Sequence, residues 1–428
     1  MKKIFLIFSI LQISIHFANA QWVLQFTSQD AAFNAIQFLN ENTGYAVGQW
    51  VSPPINGYIY KTTNSGLNWN NLTLPDSMRG YLLTNLCFLD INTGFIIGET
   101  YHVFKTTNGG SNWTIYSAQG PATNQDYNGI KFFNEFTGYI GGRDGMIKKT
   151  TNSGINWITF DTANADINCM WFLDENTGFL GDAYGGLYKT YNGGINWNYQ
   201  FLTDTTSNHY EYTFQQIKFV DYNTGYAVGD RVFPYAGAVF KTTNGGINWK
   251  SIFILLGNEL YSIETTNNSI VYTCGLFQST IFKSTNGGKD WVTQTTPTTY
   301  GPNFITFINS NIGFSCAGRQ IMKTTNGGSV FINNISTEIP DGFKLYQNYP
   351  NPFNPSTNIK YQIRNKCSVT LKVFDLLGKE IATLINEKQA PGTYEVSFDG
   401  STLPSGVYFY SLYSDGVKMD TKKLLLLK

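Results

Sequence analysis

The segment Lys241-Thr242-Thr243-Asn244-Gly245-Gly246-Ile247-Asn248-Trp249 decides how the chain is interpreted, because close variants of it return along most of the sequence. The lysines that open the copies are Lys61, Lys105, Lys149, Lys189, Lys241, Lys283 and Lys323, at spacings of 44, 44, 40, 52, 42 and 40 residues. Each is preceded by an aromatic run, usually a Thr-Gly turn, and a second run. A repeat of this length has room for four short strands. The sequence therefore predicts an all-β fold, a seven-bladed β-propeller.

Closure of such a ring needs a strand from the far end of the chain. Gln21-Trp22-Val23-Leu24 is similar to the Trp-led strand of the other copies, whereas the seventh copy ends in Phe331 instead of Trp. We expect the Trp22 strand to complete the last blade, with a strand over 331–335 as the alternative. The propeller is then expected over residues 21–335, followed by a linker over 336–348 and a second domain over 349–428.

The composition limits the class of protein. Residues 1–20 combine Lys2 and Lys3, an apolar run and Ala18-Asn19-Ala20, the layout of a secretory signal peptide. The 29 basic and 29 acidic residues balance, which predicts no nucleic-acid partner. No later stretch reaches the ~20 apolar residues of a membrane-spanning helix. We predict an exported protein that is not an integral membrane protein, and we expect a monomer.

The cysteines and histidines favour no metal or cofactor chemistry. The five cysteines are widely spaced, without a CxxC pair, and do not form a disulfide framework. Cys274 and Cys316 lie at near-equivalent positions of consecutive repeats, so a bridge between them is the alternative to buried thiols. Only His102 and His209 follow the predicted signal peptide. We therefore predict no metal site and no cofactor.

The repeated phrase resembles the Asp-box of sialidases and other BNR-type propellers. Six copies reach the tryptophan of that motif: Trp69, Trp113, Trp157, Trp197, Trp249 and Trp291. Hydroxyl and Asn side chains can satisfy the backbone of a turn, Gly takes the left-handed position, and the indole covers the turn. We interpret these residues as structural and assign them no chemistry.

The longer pattern F-x-D-x-x-T-G-Y/F-x-x-G followed by K-T-T-N-G-G-x-x-W more closely resembles the propeller family of photosystem II stability and assembly factors. The resemblance covers most of residues 30–331. It implies the propeller fold. In photosynthetic cells, members of that family bind an assembling membrane-protein subunit, and the same propeller also occurs in secreted proteins unrelated to photosynthesis.

A binding site is expected on the face opposite the Asp-box turns, where the loops between strands B and C and between blades lie. Insertions gather on loops that carry function. The candidate ligand-binding residues are Arg143, Arg231, Arg319, Trp50, Tyr235 and Tyr210. A ring of guanidinium groups with aromatic side chains could bind a carboxylate, a sulfate or an acidic peptide. The alternative is solvated arginines, two of which pair with their neighbours Asp144 and Asp230.

We predict a secreted or cell-surface, non-enzymatic propeller that binds protein or glycan through this face. One alternative is a sialidase-like glycoside hydrolase, for which Glu99, Asp144, Asp182 and Asp230 are the first acids to test. The other alternative is a structural surface component without a defined ligand. No catalytic residue is assigned.

The C-terminal region resembles the type A sorting domain of the type IX secretion system. The resemblance rests on YPNPFNPST at 349–357, on Val373-Phe374-Asp375 with Gly378, on LPSGVY at 403–408 and on the terminal KLLLLK. The residues that it marks as the sorting signal are Pro350, Asn351, Pro352, Phe353, Gly378, Gly406 and Tyr408. Short alternating strands predict a small β-sandwich. The resemblance implies passage through the periplasm, the type IX translocon as partner, and release or surface attachment, with or without cleavage of the domain.

Overall fold

A computed structural model describes residues 22–49, 56–75, 80–118, 126–161, 165–202, 212–231, 235–275, 279–328, 332–336, 338–400 and 403–427. The chain folds as two compact units, one of residues 21–329 and one that contains residues 330–428. The predicted signal peptide and residues Trp50, His209 and Tyr210 lie outside the described ranges.

The first unit is built from antiparallel groups of four strands, which we number as blades 1 to 7 with strands A to D. Strands D of blades 4 and 5 also pair with each other in parallel, through Phe201–Leu202 and Asn248–Trp249, so these two blades form one eight-stranded sheet. Blades 1 to 3 consist of Ala32–Phe38, Gly44–Gln49, Gly57–Thr62 and Asn70–Asn71; Leu83–Phe88, Gly94–Gly98, Thr100–Thr106 and Thr114–Ser117; and Tyr127–Phe132, Gly138–Gly142, Met146–Thr150 and Ile158–Asp161. Blade 4 consists of Ile167–Phe172, Gly178–Asp182, Leu187–Thr190 and Asn198–Leu202, and blade 5 of Thr213–Phe219, Gly225–Arg231, Ala236–Thr242 and Asn248–Leu256. Blade 6 consists of Ser262–Thr265, Val271–Cys274, Thr280–Ser284 and Val292–Thr295. Blade 7 consists of Phe304–Phe307, Gly313–Ala317, Gln320–Thr324 and Val23–Thr27. A 3-10 turn, Arg143–Gly145, follows strand B of blade 3. The predicted all-β, seven-bladed propeller is confirmed.

The first strand in the described part of the chain closes the ring. Val23–Thr27 pairs antiparallel with Gln320–Thr324 as strand D of blade 7. Trp22, just before it, is fully buried, and its Nε1 donates to Gln294 Oε1 at 2.9 Å. The alternative strand over 331–335 is wrong, because Ile332–Ser336 pairs instead with Gly392–Asp399 in the second unit.

The turns that carry the repeated phrase, which we call the Asp-box turns after the motif that they resemble, are held by their own side chains. In blade 5, Thr242 Oγ1 accepts from the Gly246 amide at 2.9 Å, and Asn244 Oδ1 accepts from the Asn248 amide at 3.0 Å. The same two bonds recur in blades 1, 2, 3, 4 and 6. The polar groups of the phrase are therefore used in the turn itself.

In five of the seven blades, the repeated lysine bonds to the next blade. Lys241 Nζ of blade 5 donates to the Gly287 carbonyl of blade 6 at 2.8 Å, and Lys323 Nζ of blade 7 donates to the Ser65 carbonyl of blade 1 at 3.1 Å. Equivalent bonds are made by Lys61, Lys189 and Lys283. Because each accepting carbonyl lies in the neighbour's Asp-box, these lysines act as clamps between blades.

Aromatic stacking explains the glycine of the Thr-Gly turn. Phe88 at the end of strand A stacks on Tyr45 of the preceding blade, with ring centroids 3.6 Å apart. Its ring also covers Gly94, where an added Cβ would lie 2.3 Å from it. Blade 6 has Thr265 and Val271 at these two paired positions, so the glycine is absent where the phenylalanine is absent. The glycine serves this close approach.

The second unit consists of two antiparallel sheets that share one apolar core. Their strands are Ile332–Ser336, Gly392–Asp399, Ser356–Ile363 and Lys344–Leu345 in one sheet, and Glu380–Gln389, Cys367–Phe374, Gly406–Ser414 and Val417–Leu426 in the other. Strands thus begin before the predicted boundary at residue 349. All five cysteines of the chain are free thiols, so the bridge considered for Cys274 and Cys316 does not form.

The motif-bearing segments of this unit meet along its last strand. The Phe353 amide donates to the Leu425 carbonyl at 2.9 Å, and the Leu427 amide donates to the Phe353 carbonyl at 3.0 Å. Asn351 Oδ1 accepts from the Leu425 amide at 2.9 Å, and the Tyr408 hydroxyl donates to the Pro404 carbonyl at 2.8 Å. The proline-rich segment therefore runs beside the end of the chain.

Candidate functional site

A cavity of about 720 Å³ lies along the innermost strands of the propeller. Every blade contributes to its wall, through residues 34–38, 84–87, 128–131, 168–171, 215–218, 261, 264, 303–304 and 306–307. A volume of this size falls within the range of ligand pockets. The cavity is therefore the first place to look for a site.

One position of strand A lines the cavity in every blade and varies widely in chemistry. In each blade this residue comes just before the last residue of strand A that pairs with strand B. We call the seven residues the inner ring: Gln37, Cys87, Lys131, Trp171, Lys218, Glu264 and Thr306. The preceding position is apolar in each blade: Ile36, Leu86, Ile130, Met170, Ile217, Ile263 and Ile305. The propeller thus fixes an aliphatic residue at one position and leaves the next free to vary.

Two lysines of the inner ring flank one tryptophan. The Lys131 and Lys218 Nζ atoms lie 5.9 and 4.9 Å from the centroid of the Trp171 ring. Lys218 Nζ also pairs with Glu264 Oε2 at 2.9 Å. Lys131 contacts aromatic rings but forms no hydrogen bond or ion pair with any described residue. The ring therefore carries one positive charge more than its carboxylate neutralises.

Trp171 adds a second unused donor. Its Nε1 is buried and has no hydrogen-bond acceptor among the described residues. An N–H group that is buried without an acceptor is costly. Because this atom is closed off from the cavity, a bound anion would pair with the Lys131 ammonium and not with the indole. The chemistry of this part of the wall matches a carboxylate or another oxyanion.

Polar residues nearer the start of strand A serve the ring itself. Asn34 Nδ2 donates to the Leu83 carbonyl at 2.7 Å, and Thr84 Oγ1 donates to the Tyr127 carbonyl at 2.7 Å. Asn303 Nδ2 donates to the Phe33 carbonyl at 2.8 Å, which repeats the pattern between blades 7 and 1. These side chains tie neighbouring blades together.

The loop-bearing mouth of the cavity is acidic at blades 5 and 6. The Tyr261 hydroxyl donates to a Glu259 carboxylate oxygen, and Gln215 Nε2 donates to Asp230 Oδ1 at 2.8 Å. Burial, together with the charge of Glu259, raises the pKa of Asp230 above its usual range despite the Gln215 bond. Burial and the bond to Glu259 raise the pKa of Tyr235, the one described candidate aromatic from the loops. We call Asp230, Tyr235, Glu259 and Tyr261 the acidic mouth.

The three candidate arginines are engaged within their own surroundings. Arg143 Nη2 pairs with Asp126 Oδ2 at 2.8 Å, and the Arg319 Nη1 donates to the Gln29 carbonyl at 3.2 Å. The Arg231 guanidinium lies 5.6 Å from the centroid of Tyr212, and the residue is buried. Among the described residues that line the cavity, none is an arginine. The structure therefore does not gather them into the cavity; Trp50 and Tyr210 lie outside the described residues.

The other candidate acids have local roles. Asp182 Oδ1 accepts from the Tyr184 and Gly186 amides at 2.8 and 2.6 Å. The Asp144 backbone has a φ of 57°, and its amide donates to Asp166 Oδ1 at 3.0 Å. Burial and the neighbouring Asp126 raise the pKa of Glu99, against a lowering by Arg143.

Sequence reasoning missed the inner ring, although a signal existed. Aligning the seven strands A places Lys131, Trp171, Lys218 and Glu264 in one column. The repeated phrase and the unequal loops are more conspicuous than that column. In the described part of the chain, no group of three or more His, Cys, Asp or Glu residues is placed to hold a metal ion.

Two family models match parts of the chain. Residues 63–165 match the photosynthesis system II assembly factor YCF48, and residues 347–426 match the secretion system C-terminal sorting domain. No curated protein sequence matches the chain. No helix within the described ranges has the length and apolar character needed to cross a membrane.

Solved structures with the same fold include three informative cases. YCF48 bound to D1 peptide is 18% identical over 71% of this chain and 94% of that one, with a TM-score of 0.56. PorZ, an essential surface component of the type IX secretion system of Porphyromonas gingivalis, is 14% identical over 95% of this chain and 61% of its own, also with a TM-score of 0.56. Streptogramin B lyase is 14% identical over 72% of this chain and 97% of its own, with a TM-score of 0.55. The chain combines a YCF48-like β-propeller with a secretion system C-terminal sorting domain, which directs it through the periplasm to the cell surface or the medium.

Proposed function

We propose that this exported protein is a non-enzymatic binder of peptide segments, and that its propeller cavity takes a free C-terminal carboxylate of another protein. The observation that carries the proposal is the Lys131 ammonium, which lies in the cavity wall without a hydrogen-bonding partner among the described residues. A carboxylate in the cavity would pair with the Lys131 ammonium.

The position of the acidic mouth supports a peptide that enters carboxylate first and lies with its remaining residues toward the loops. Strand A runs from the loop-bearing face toward the Asp-box face, so the inner ring lies deeper than Tyr261 and Gln215 when viewed from the loops. A peptide with its carboxylate at the inner ring would run outward past Asp230 and Glu259. Their oxygens can accept backbone N–H groups or a basic side chain.

The loop residues take a secondary role in this proposal. Arg143, Arg231, Arg319 and Tyr235 would contact the part of the ligand that emerges from the cavity, together with Trp50 and Tyr210. A YCF48 propeller has been solved with a peptide bound, which supports a peptide as the ligand class. The export domain supports a partner outside the cell membrane.

Fluorescence anisotropy tests the proposal with two matched pools of labelled octapeptides, one with free C-terminal carboxylates and one amidated. We expect the free-acid pool to bind at least about tenfold more tightly, since a lost charge pair costs about 2 kcal/mol or more. Lys131→Gln should remove the difference, and Lys250→Gln on an exposed part of blade 5 should leave it unchanged. Equal binding of both pools, or an unaffected Lys131→Gln protein, contradicts the proposal.

A glycoside hydrolase is a second candidate, favoured by the acidic mouth. Tyr261 bonded to Glu259, beside an Asp230 whose pKa is raised by burial, supplies a tyrosine–carboxylate pair and a candidate proton donor. A panel of fluorogenic glycosides that includes a sialoside tests it. Turnover that is abolished by Asp230→Asn would support the hydrolase over the peptide binder; binding of a sialylated oligosaccharide without turnover would support a glycan as ligand.

A further inference from the structure

The hairpin turn between Cys367–Phe374 and Glu380–Gln389 in the second unit presents two leucines to solvent. Leu376 and Leu377 are 68% and 94% exposed, and no other large hydrophobic side chain in the described ranges is as exposed as Leu377. A leucine held this far from any core gains nothing from burial in the folded chain. Two in succession therefore need an explanation outside the fold.

The backbone of this turn is fixed without help from the leucines. Asp375 Oδ1 accepts from the Leu377 and Lys379 amides, each at 2.9 Å. The Gly378 amide donates to the Asp375 carbonyl at 3.1 Å, and Gly378 takes a φ of 81°. Asp and Gly are the residues that such a turn requires, and polar residues would serve equally between them. The turn is a rigid mount for two apolar side chains.

The turn lies at the end of the sandwich where the sorting motifs meet. Phe374 pairs with Phe409, and Phe409 pairs with Lys423, so the turn projects toward the level of Leu425 and Leu427. That level is where Phe353 of the proline-rich segment bonds to the last strand. The other hairpin of this sheet, at Ser414–Val417, lies at the opposite end.

We propose that Leu376 and Leu377 form a docking knob that inserts into an apolar pocket of a protein of the outer-membrane export machinery. A protein pocket fits better than a lipid surface, because the turn carries one acidic and one basic residue, Asp375 and Lys379, and no basic cluster that an anionic membrane would attract. Burial of two exposed leucine side chains in an apolar protein pocket would contribute favourable binding free energy. The inference rests on the sorting-domain match and is independent of what the propeller binds.

The test compares export of the full-length chain with that of the double variant Leu376→Ser/Leu377→Ser, by immunoblot of the medium, the cell surface and the periplasm. We expect export to fall at least about tenfold, with folded protein retained in the periplasm. A matched control, Val417→Ser/Met419→Ser, removes two exposed apolar side chains at or near the opposite hairpin, which are 65% and 40% exposed, and should be exported normally.

Two further measurements keep the outcome unambiguous. The thermal unfolding of each purified variant should match that of the parent, and Leu376→Met/Leu377→Met, which keeps the apolar volume, should restore export. Export of the serine variant at the parental level overturns the proposal, as does an equal loss in the control. Loss of binding of the serine variant to vesicles of outer-membrane lipid would also overturn it, in favour of a membrane contact.

Discussion

The Asp-box ends of the blades and the inner ring are built on the same repeat, yet they differ in how much they vary. At the Asp-box end, a Thr or Ser hydroxyl and an Asn side chain make the same two bonds in blades 1 to 6, and the lysine bond recurs in five blades. At the inner ring, one backbone position carries Gln, Cys, Lys, Trp, Lys, Glu and Thr. The repeat itself therefore requires no one residue type at this position, although Gln37 exchanges two hydrogen bonds with the Phe88 backbone of the next blade. Repetition therefore reports on folding, and variation at an equivalent position indicates where ligand chemistry resides.

The largest expected effect is at the repeated end. In Gly94→Ala the new Cβ would lie 2.3 Å from the Phe88 ring, and we expect a loss of about 2 to 3 kcal/mol of unfolding free energy from overpacking. Urea unfolding followed by tryptophan fluorescence measures it, since all nine tryptophans lie before residue 292 and report on the propeller.

The double variant Phe88→Thr/Gly94→Ala removes the ring that the new Cβ would meet, since Thr replaces the phenylalanine as it does in blade 6, and it serves as the control. It should be no less stable than Phe88→Thr alone, because the clash partner is gone. Additive losses in the double variant would contradict the close-approach explanation.

A smaller loss is expected at the clamp between blades. Lys241→Met removes the 2.8 Å bond to the Gly287 carbonyl, and we expect about 1 to 2 kcal/mol of destabilisation. Lys250→Met, an exposed lysine on the adjacent strand, is the matched control and should change the unfolding free energy little. Similar midpoints for both variants would show that the repeated lysine is not a clamp.

A pH-dependent difference is expected at the acidic mouth. The folded-state pKa of Asp230 is raised, so its protonated form stabilises the fold at low pH and that stabilisation is lost as pH rises through the folded pKa. Asp230→Asn should therefore have a higher melting temperature than the parent at pH 7, and the difference in melting temperature should shrink as the pH falls toward ~4.

Asp221→Asn should change the melting temperature in the opposite direction in the same experiment. Backbone amides of Thr224 and Asn223 lower the pKa of Asp221, so the parent should be the more stable protein at neutral pH and lose that advantage as pH falls. If the difference in melting temperature between parent and variant did not depend on pH for either residue, the result would be inconsistent with these pKa shifts.

The smallest effect on folding is expected in the inner ring. Lys131→Met should change the unfolding free energy by less than ~0.5 kcal/mol, because the ammonium forms no bond within the described structure. The same variant should lose preference for free-acid peptides. A large loss of stability would place Lys131 with the clamps rather than with the ligand site.

The sequence predicted the blades, their closure by the Trp22 strand and the strands of the sorting domain, because period, turn residues and alternation are local properties. It did not predict the roles of the arginines, since whether Arg143 meets Asp126 or a ligand depends on how neighbouring blades pack. The Lys131–Trp171–Lys218 contact crosses three blades and arises only when the ring closes. Contacts between repeats, rather than within them, are what single-sequence reasoning lacks.

Ring closure by Val23–Thr27 has a consequence for the order of synthesis. The strand that completes blade 7 is among the first parts of the propeller to be made, and its partner Gln320–Thr324 is among the last. During vectorial synthesis or translocation the nascent chain can pair strands within blades, but it stays an open arc with an unmatched segment at its leading end. The protein becomes a closed circle only when nearly the whole propeller, up to Gln320–Thr324, is available.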